Sequence, residues 1–288
     1  MKLALFGTGL MGTAMGLRLI ETGHVLDVFN RTPEHTRPLS EAGARSAERP
    51  VLALANADCV ILMLADATAI RDVFLNAETA PMLSGRLVIQ MGTIAPQESR
   101  DLARAVAAHG ARWLEAPVLG SLPEARAGKL QVMVGGETAD LDACRSVLEA
   151  LGQVIHVGAV GQAAALKLAL NQLIGGLTAS FALSLGFVQR EGVSVEDFMS
   201  VLRGSALYAP TFDKKLPRML SGDFANPNFP LRHLLKDLRL FEHAAADAGI
   251  DPELLGPLCA LLERGIASNR GGDDYSVLYA TLTGKGLQ

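Results

Sequence analysis

Short apolar runs recur through the first half of the chain, and the stretches between them return their hydrophobic positions every three to four residues. Lys2–Phe6, His24–Phe29, Ala57–Leu64, Arg86–Met91, Ala111–Glu115, Leu130–Val134 and Val154–Val157 read as strands, while Thr13–Glu21 and segments 97–109 and 139–151 read as helices. Strands alternating with helices predict an α/β fold with a doubly wound, mainly parallel sheet. After Val157 only the helical period remains, over 161–192, Val195–Leu202, Thr211–Leu216, Leu231–Ala248 and Pro252–Ala267. The expected organisation is therefore a sheet domain over residues 1–158 and an all-α domain over 159–288, joined through the long helix.

The first strand leads into Gly7-Thr8-Gly9-Leu10-Met11-Gly12, with a helix after it and a second strand on schedule. This is the unit of about thirty residues that binds dinucleotides in Rossmann-type domains. The first glycine permits the tight turn, the second lets backbone approach a pyrophosphate, and the third allows close helix packing. At the end of the second strand, where an NAD site places an acid to hold the ribose hydroxyls, the chain has Asn30-Arg31-Thr32. A guanidinium with no carboxylate beside it suits a 2′-phosphate, so the expected cofactor is NADP(H). Ligands lie at the carboxyl ends of the strands in such sheets, which brings Met63, Leu64 and Thr93 to the cofactor side.

The helix over 161–192 is apolar on every side, which predicts a buried helix or one shared between subunits, hence a homodimer or homotetramer. It places one cation, Lys167, and one amide, Asn171, at the spacing that stacks side chains on one helix face, and Gly175 and Thr178 extend that stripe. A buried ammonium is costly unless paired, so Lys167 is the candidate chemical centre.

Bulk properties narrow the classes. Of 288 residues 49% are hydrophobic and 19% charged, enough for a large core, and the net charge of −4 gives no reason to expect nucleic acid or an anionic membrane as partner. Three dispersed cysteines and the lack of a leader-like N-terminus suit a cytoplasmic protein. The six histidines show no metal-binding spacing, and no YxxxK or GxSxG pattern offers a competing chemistry, so no metal is expected.

Four stretches together carry a resemblance: GTGLMG with Asn30-Arg31-Thr32, EAPVLGS over Glu115–Ser121, Gly158 through Gly161 and Lys167 to Asn171, and FPLRHLLKD from Phe229 to Asp237. They resemble the cofactor fingerprint, substrate loop, catalytic signature and helical segment of the β-hydroxyacid dehydrogenases, which include 3-hydroxyisobutyrate dehydrogenase and tartronate semialdehyde reductase. The nearest look is to the NADPH-dependent glyoxylate and succinic semialdehyde reductases, and the resemblance covers essentially the whole chain. It implies a 6-phosphogluconate dehydrogenase-like C-terminal domain and hydride transfer between NADP(H) and a small carboxylate-bearing aldehyde or its hydroxyacid. In that reading Lys167 is the general acid or base and Asn171 orients Lys167 or the substrate. The loop Leu119-Gly120-Ser121 meets the substrate, with amides and the hydroxyl around Gly120 and Ser121 holding its carboxylate. Thr93 reaches the nicotinamide ribose or substrate, Phe229 and Asp237 line the site, and Lys236 or Asp237 contacts the cofactor. Two positions depart from the pattern: Leu119 stands where a serine is usual, and Ala163 where a glycine is usual. Leu119 admits imines or longer keto substrates as the alternative, and a non-catalytic NADP-binding protein is the alternative outside enzymes.

Overall fold

The structure, a computed structural model, describes residues 1–284. The chain divides into two compact units, the first from Met1 to Lys167 and the second beginning at Leu168. The expected division at residue 158 falls at the end of the strand Gly152–Gly158, nine residues earlier.

In the first unit β1 (Lys2–Phe6), α1 (Leu10–Glu21), β2 (Val25–Phe29), α2 (Arg37–Glu41), β3 (Arg45–Ser46), α3 (Pro50–Leu54), β4 (Cys59–Leu62), α4 (Ala67–Phe74), β5 (Leu87–Gln90), α5 (Pro96–Ala107) and β6 (Arg112–Glu115) alternate as expected. β7 (Val118–Leu119), α6 (Leu122–Arg126), β8 (Leu130–Gly135), α7 (Thr138–Leu151) and β9 (Gly152–Gly158) complete it. The strands form one sheet in the order β3-β2-β1-β4-β5-β6-β8-β7, with β9 also paired to β8. β1 to β6 are parallel, whereas β8 runs antiparallel to β6 and β7. Both faces are buried, because alternate residues feed separate cores. Leu3, Leu5 and Ile61 point into one, and Ala4, Phe6, Val60 and Leu62 into the other. The fourth strand is shorter than the apolar run Ala57–Leu64, since Met63 and Leu64 already belong to the turn that follows.

The second unit is helical. α8 (Gln162–Arg190) enters it from the first unit, followed by α9 (Val195–Arg203), α10 (Pro210–Ser221), α11 (Leu231–Asp247), α12 (Leu255–Gly265) and α13 (Leu278–Thr283). α10 continues past the expected stop at Leu216 with Pro217 inside it. The helix holds because Lys215 and Met219, on either side of the proline, are buried.

α8 corrects the expectation of a helix buried all round. Asn171, Gly175, Thr178, Ala182 and Leu185 form one buried stripe, but Leu173 (53% exposed), Leu177, Leu183 and Phe187 (63%) face outward. Helical periodicity reports apolar surface on every side; one chain packs against only part of it.

Candidate active site

The glycine loop lies between the end of β1 and α1. Gly7 has φ +96°, and a Cβ there would lie 2.3 Å from the carbonyl oxygen of Met63. At Gly12 a Cβ would come within 2.0 Å of the Gly7 carbonyl oxygen. Nothing lies within 4 Å of a Cβ built on Gly9, so the middle of the loop opens onto free space. α1 begins with no side-chain cap and no acidic residue in its first turn, leaving its leading amides for an anion. Thr8 is buried with its hydroxyl lacking a hydrogen-bond partner. An open glycine, uncapped amides and an orphaned hydroxyl fit the pyrophosphate of a dinucleotide. Leu10 is exposed and Met11 half-buried beside this opening.

Met63 and Leu64 are half-buried, each packed against a different core, and the Met63 amide donates to the Phe6 carbonyl at 2.8 Å. They wall the glycine turn from the next strand end. Asn30 Oδ1 accepts from the Thr32 amide at 2.9 Å, which folds the β2 end into a turn and leaves Arg31 exposed. The nearby Asp27 is committed to a bidentate pair with Arg45 (2.8 and 2.6 Å), so it does not supply the missing ribose-binding acid. Thr93 is half-buried at the carboxyl edge beyond β5. The buried Gln90 amide brackets the preceding Gly92, donating to its carbonyl at 3.1 Å and accepting its amide at 3.4 Å.

A buried polar constellation surrounds Glu115, at the end of β6 and 1% exposed. Its Oε1 accepts the amides of Gly161 (2.8 Å), Ala163 (2.8 Å) and Ala164 (3.2 Å), the N-terminal end of α8. Its Oε2 accepts the Ser99 hydroxyl at 2.5 Å, and Trp113 Nε1 donates to that hydroxyl oxygen at 3.3 Å. An anion at a helix start satisfies amides that otherwise lack partners and meets the positive end of the dipole. Glu115 thus pins α8 to the carboxyl edge of the sheet. Lys167, half-buried, follows one turn beyond Ala163. Sequence reasoning placed Glu115 in the substrate loop without a role; the acid ending an otherwise apolar strand was the available signal.

In the second unit Asn171 and Asp237 are both buried, and Asn171 Nδ2 donates to Asp237 Oδ2 at 2.6 Å. Lys236 Nζ lies 3.0 Å from Asp237 Oδ1. Asn171 Oδ1 is buried without a hydrogen-bond partner, an acceptor left open on the helix face that Lys167 shares. Asp237 therefore orients Asn171. Phe229 packs edge-on against Tyr275, with ring centroids 5.9 Å apart.

Residues 2–161 match the NAD binding domain of 6-phosphogluconate dehydrogenase, and residues 161–282 match the NAD-binding region of NADP-dependent 3-hydroxyisobutyrate dehydrogenase. The chain belongs to the β-hydroxyacid dehydrogenase family. Within it, Mycobacterium tuberculosis 3-hydroxyisobutyrate dehydrogenase, solved with L-serine, is similar at TM-score 0.87 and 26% identity, covering 98% of each chain. A reductive aminase from Aspergillus terreus, solved with NADPH and ethyl-5-oxohexanoate, is similar at TM-score 0.66 and 30% identity, covering 96% of this chain and 97% of that one. The cytokine-like nuclear factor N-PAC of Xenopus tropicalis is 28% identical over 281 residues, which are 96% of this chain and 52% of that protein. The chain thus spans about half the length of that relative. Of the expected site residues, the glycine loop, Met63, Leu64, Thr93 and the 119–121 loop belong to the first unit, as does the Glu115-anchored start of α8. The second unit joins Asn171, Lys236 and Asp237.

Proposed function

We propose that the protein is an NADPH-dependent oxidoreductase that reduces a small carbonyl compound to its alcohol, with Lys167 as the proton donor. The observation that carries this reading is the Glu115 anchor, which holds the α8 amides one turn before Lys167 at the carboxyl edge of the sheet. Bound NADPH would supply the hydride. Gly7–Gly12 and the α1 amides would hold its pyrophosphate, Asn30, Arg31 and Thr32 its 2′-phosphate, and Met63, Leu64 and Thr93 would flank the nicotinamide half. The Lys167 ammonium stabilises charge growing on the carbonyl oxygen and gives it a proton; in the reverse direction the neutral amine takes that proton. Asn171, oriented by Asp237, stands one helical turn after the lysine.

The family resemblance supports substrates of the glyoxylate and succinic semialdehyde kind, each bearing a carboxylate. Leu119 and the 30% identity to a reductive aminase favour a second reading, imines or longer neutral ketones. The outward apolar stripe of α8 supports a homodimer or homotetramer. The experiment is an NADPH-oxidation screen with glyoxylate, succinic, tartronate and methylmalonate semialdehydes, a neutral ketone and a cyclic imine. Oxidation dependent on at least one of them is expected. Tight NADPH binding without any turnover would favour a non-catalytic NADP-binding protein.

A further inference from the structure

β5 ends between β4 and β6, the two strands whose ends carry the rest of the first unit's site. Gln90, its last residue, is in register with Leu62 of β4 on one side and with Glu115 of β6 on the other. The chain after Leu62 turns into Met63 and Leu64, and Glu115 holds the start of α8. Two backbone bonds close the junction: the Met91 amide donates to the Leu62 carbonyl at 2.8 Å, and the Ala116 amide to the Gln90 carbonyl at 2.7 Å. The strand stops there, and it is the Gln90 side chain that meets the next peptide groups. Its Nε2 donates to the buried Gly92 carbonyl at 3.1 Å and its Oε1 accepts the Gly92 amide at 3.4 Å. A Cβ on Gly92 would lie 2.6 Å from the Leu64 carbonyl oxygen and 3.3 Å from Gln90 Nε2, so the turn is closed on both sides. Met91 and Ile94 are buried in opposite cores, and between them Thr93 is the residue that reaches the surface of the carboxyl edge.

We propose that Gln90 is a positioning residue for hydride transfer: its side-chain amide fixes the Gly92 peptide, and through it the place at which Thr93 meets the nicotinamide half of the cofactor or the carbonyl substrate. This rests on the reductase reading above and adds to it a residue that acts from behind the turn. A primary amide suits the task because it donates to a carbonyl and accepts from an amide at once. A carboxylate could only accept, and would bring a like charge beside Glu115. An apolar side chain would leave two buried peptide groups unsatisfied. Satisfying those groups would by itself account for the two bonds, but a bracket serving stability alone would not exert its effect through the Thr93 hydroxyl.

The test is a double-mutant cycle on the full chain: wild type, Gln90→Met, Thr93→Val and the double variant. Two quantities are read: kcat and KM with the carbonyl compound that the NADPH-oxidation screen finds, and the NADPH dissociation constant by fluorescence titration. Gln90→Met is expected to lower kcat/KM on the order of 10²-fold, chiefly through kcat, and to weaken NADPH about 5-fold. In the Thr93→Val background the same substitution should cost less than about 3-fold in kcat/KM and leave NADPH affinity unchanged. Should Gln90→Met not fold, Gln90→Asn, whose amide sits one methylene short of the turn, takes its place in the cycle. Equal losses in both backgrounds, or wild-type behaviour of the Gln90 variant, would overturn the proposal. If no carbonyl compound is reduced, the reductase reading fails and the NADPH arm of the cycle decides this proposal by itself. A wild type that does not bind NADPH overturns both.

Discussion

Glu115 Oε1 accepts the backbone amide of Ala163 at 2.8 Å, joining the end of a sheet strand to a helix that starts 47 residues after that strand ends. The same oxygen takes two further amides, so the carboxylate ties the first turn of α8 to the sheet. Glu115→Ala would leave buried donors unsatisfied and should lower stability by about 2–4 kcal/mol, whereas Glu115→Gln, which keeps an acceptor, should cost less. Denaturant unfolding of the three proteins checks this. Equal stability of wild type and Glu115→Ala would show that the anchor is dispensable.

Arg31 is exposed at a strand end that lacks a ribose-binding acid. Removing a charge-assisted bond to the 2′-phosphate costs about 1.5–3 kcal/mol. Arg31→Ala should therefore weaken NADPH about 10- to 100-fold and leave NADH nearly unchanged, as read by fluorescence titration. Equal loss for both would remove the case for NADP.

Asp274, fully buried, accepts Lys215 Nζ at 2.8 and 2.9 Å and the Ser276 hydroxyl at 2.8 Å. Burial alone would raise its carboxyl, but the Lys215 ammonium and the Ser276 bonds outweigh burial and hold it below the ordinary range. With a depressed folded pKa, its stabilisation is complete above the unfolded aspartate value of about 3.9 and is lost as pH falls through the folded value. Stability measured from neutral pH downward should therefore begin to lose this contribution below about pH 4. Asp274→Asn should cost about 3–5 kcal/mol at neutral pH, because Lys215 is left buried without its partner, and should flatten the acid limb. An unchanged acid limb would show that the pair does not titrate with unfolding.

The cysteines make a simpler prediction. Cys59, Cys144 and Cys259 are free and buried, and burial pushes all three thiols up, Cys144 to about 11. At about pH 8 the native protein should resist alkylation, because the thiolate is both scarce and inaccessible. Mass spectrometry after timed alkylation counts the labelled thiols, and three should appear only on unfolding. Rapid labelling of the native chain would contradict the buried assignments.

The order of elements was legible because strands buried on both faces read as unbroken apolar runs, and because Gly7, Gly9 and Gly12 each answer a backbone demand visible in sequence. Lys167 and Asn171 stand out in the sequence as candidates because a cation and an amide at helical spacing interrupt an apolar helix. What sequence did not carry were contacts between distant segments. The link from Glu115 to Ala163, the bracket of Gln90 on Gly92 and the link from Asn171 to Asp237 depend on which strand and helix ends meet. The exposed face of α8 escaped because hydrophobic periodicity does not say how many neighbours one chain provides.

In the proposed reaction Lys167 moves the proton. With whichever carbonyl compound the NADPH-oxidation screen finds, Lys167→Ala should reduce kcat by a factor on the order of 10²–10⁴, while NADPH binding, measured on the same protein, stays within about 2-fold. Turnover surviving at wild-type rate in Lys167→Ala would contradict it.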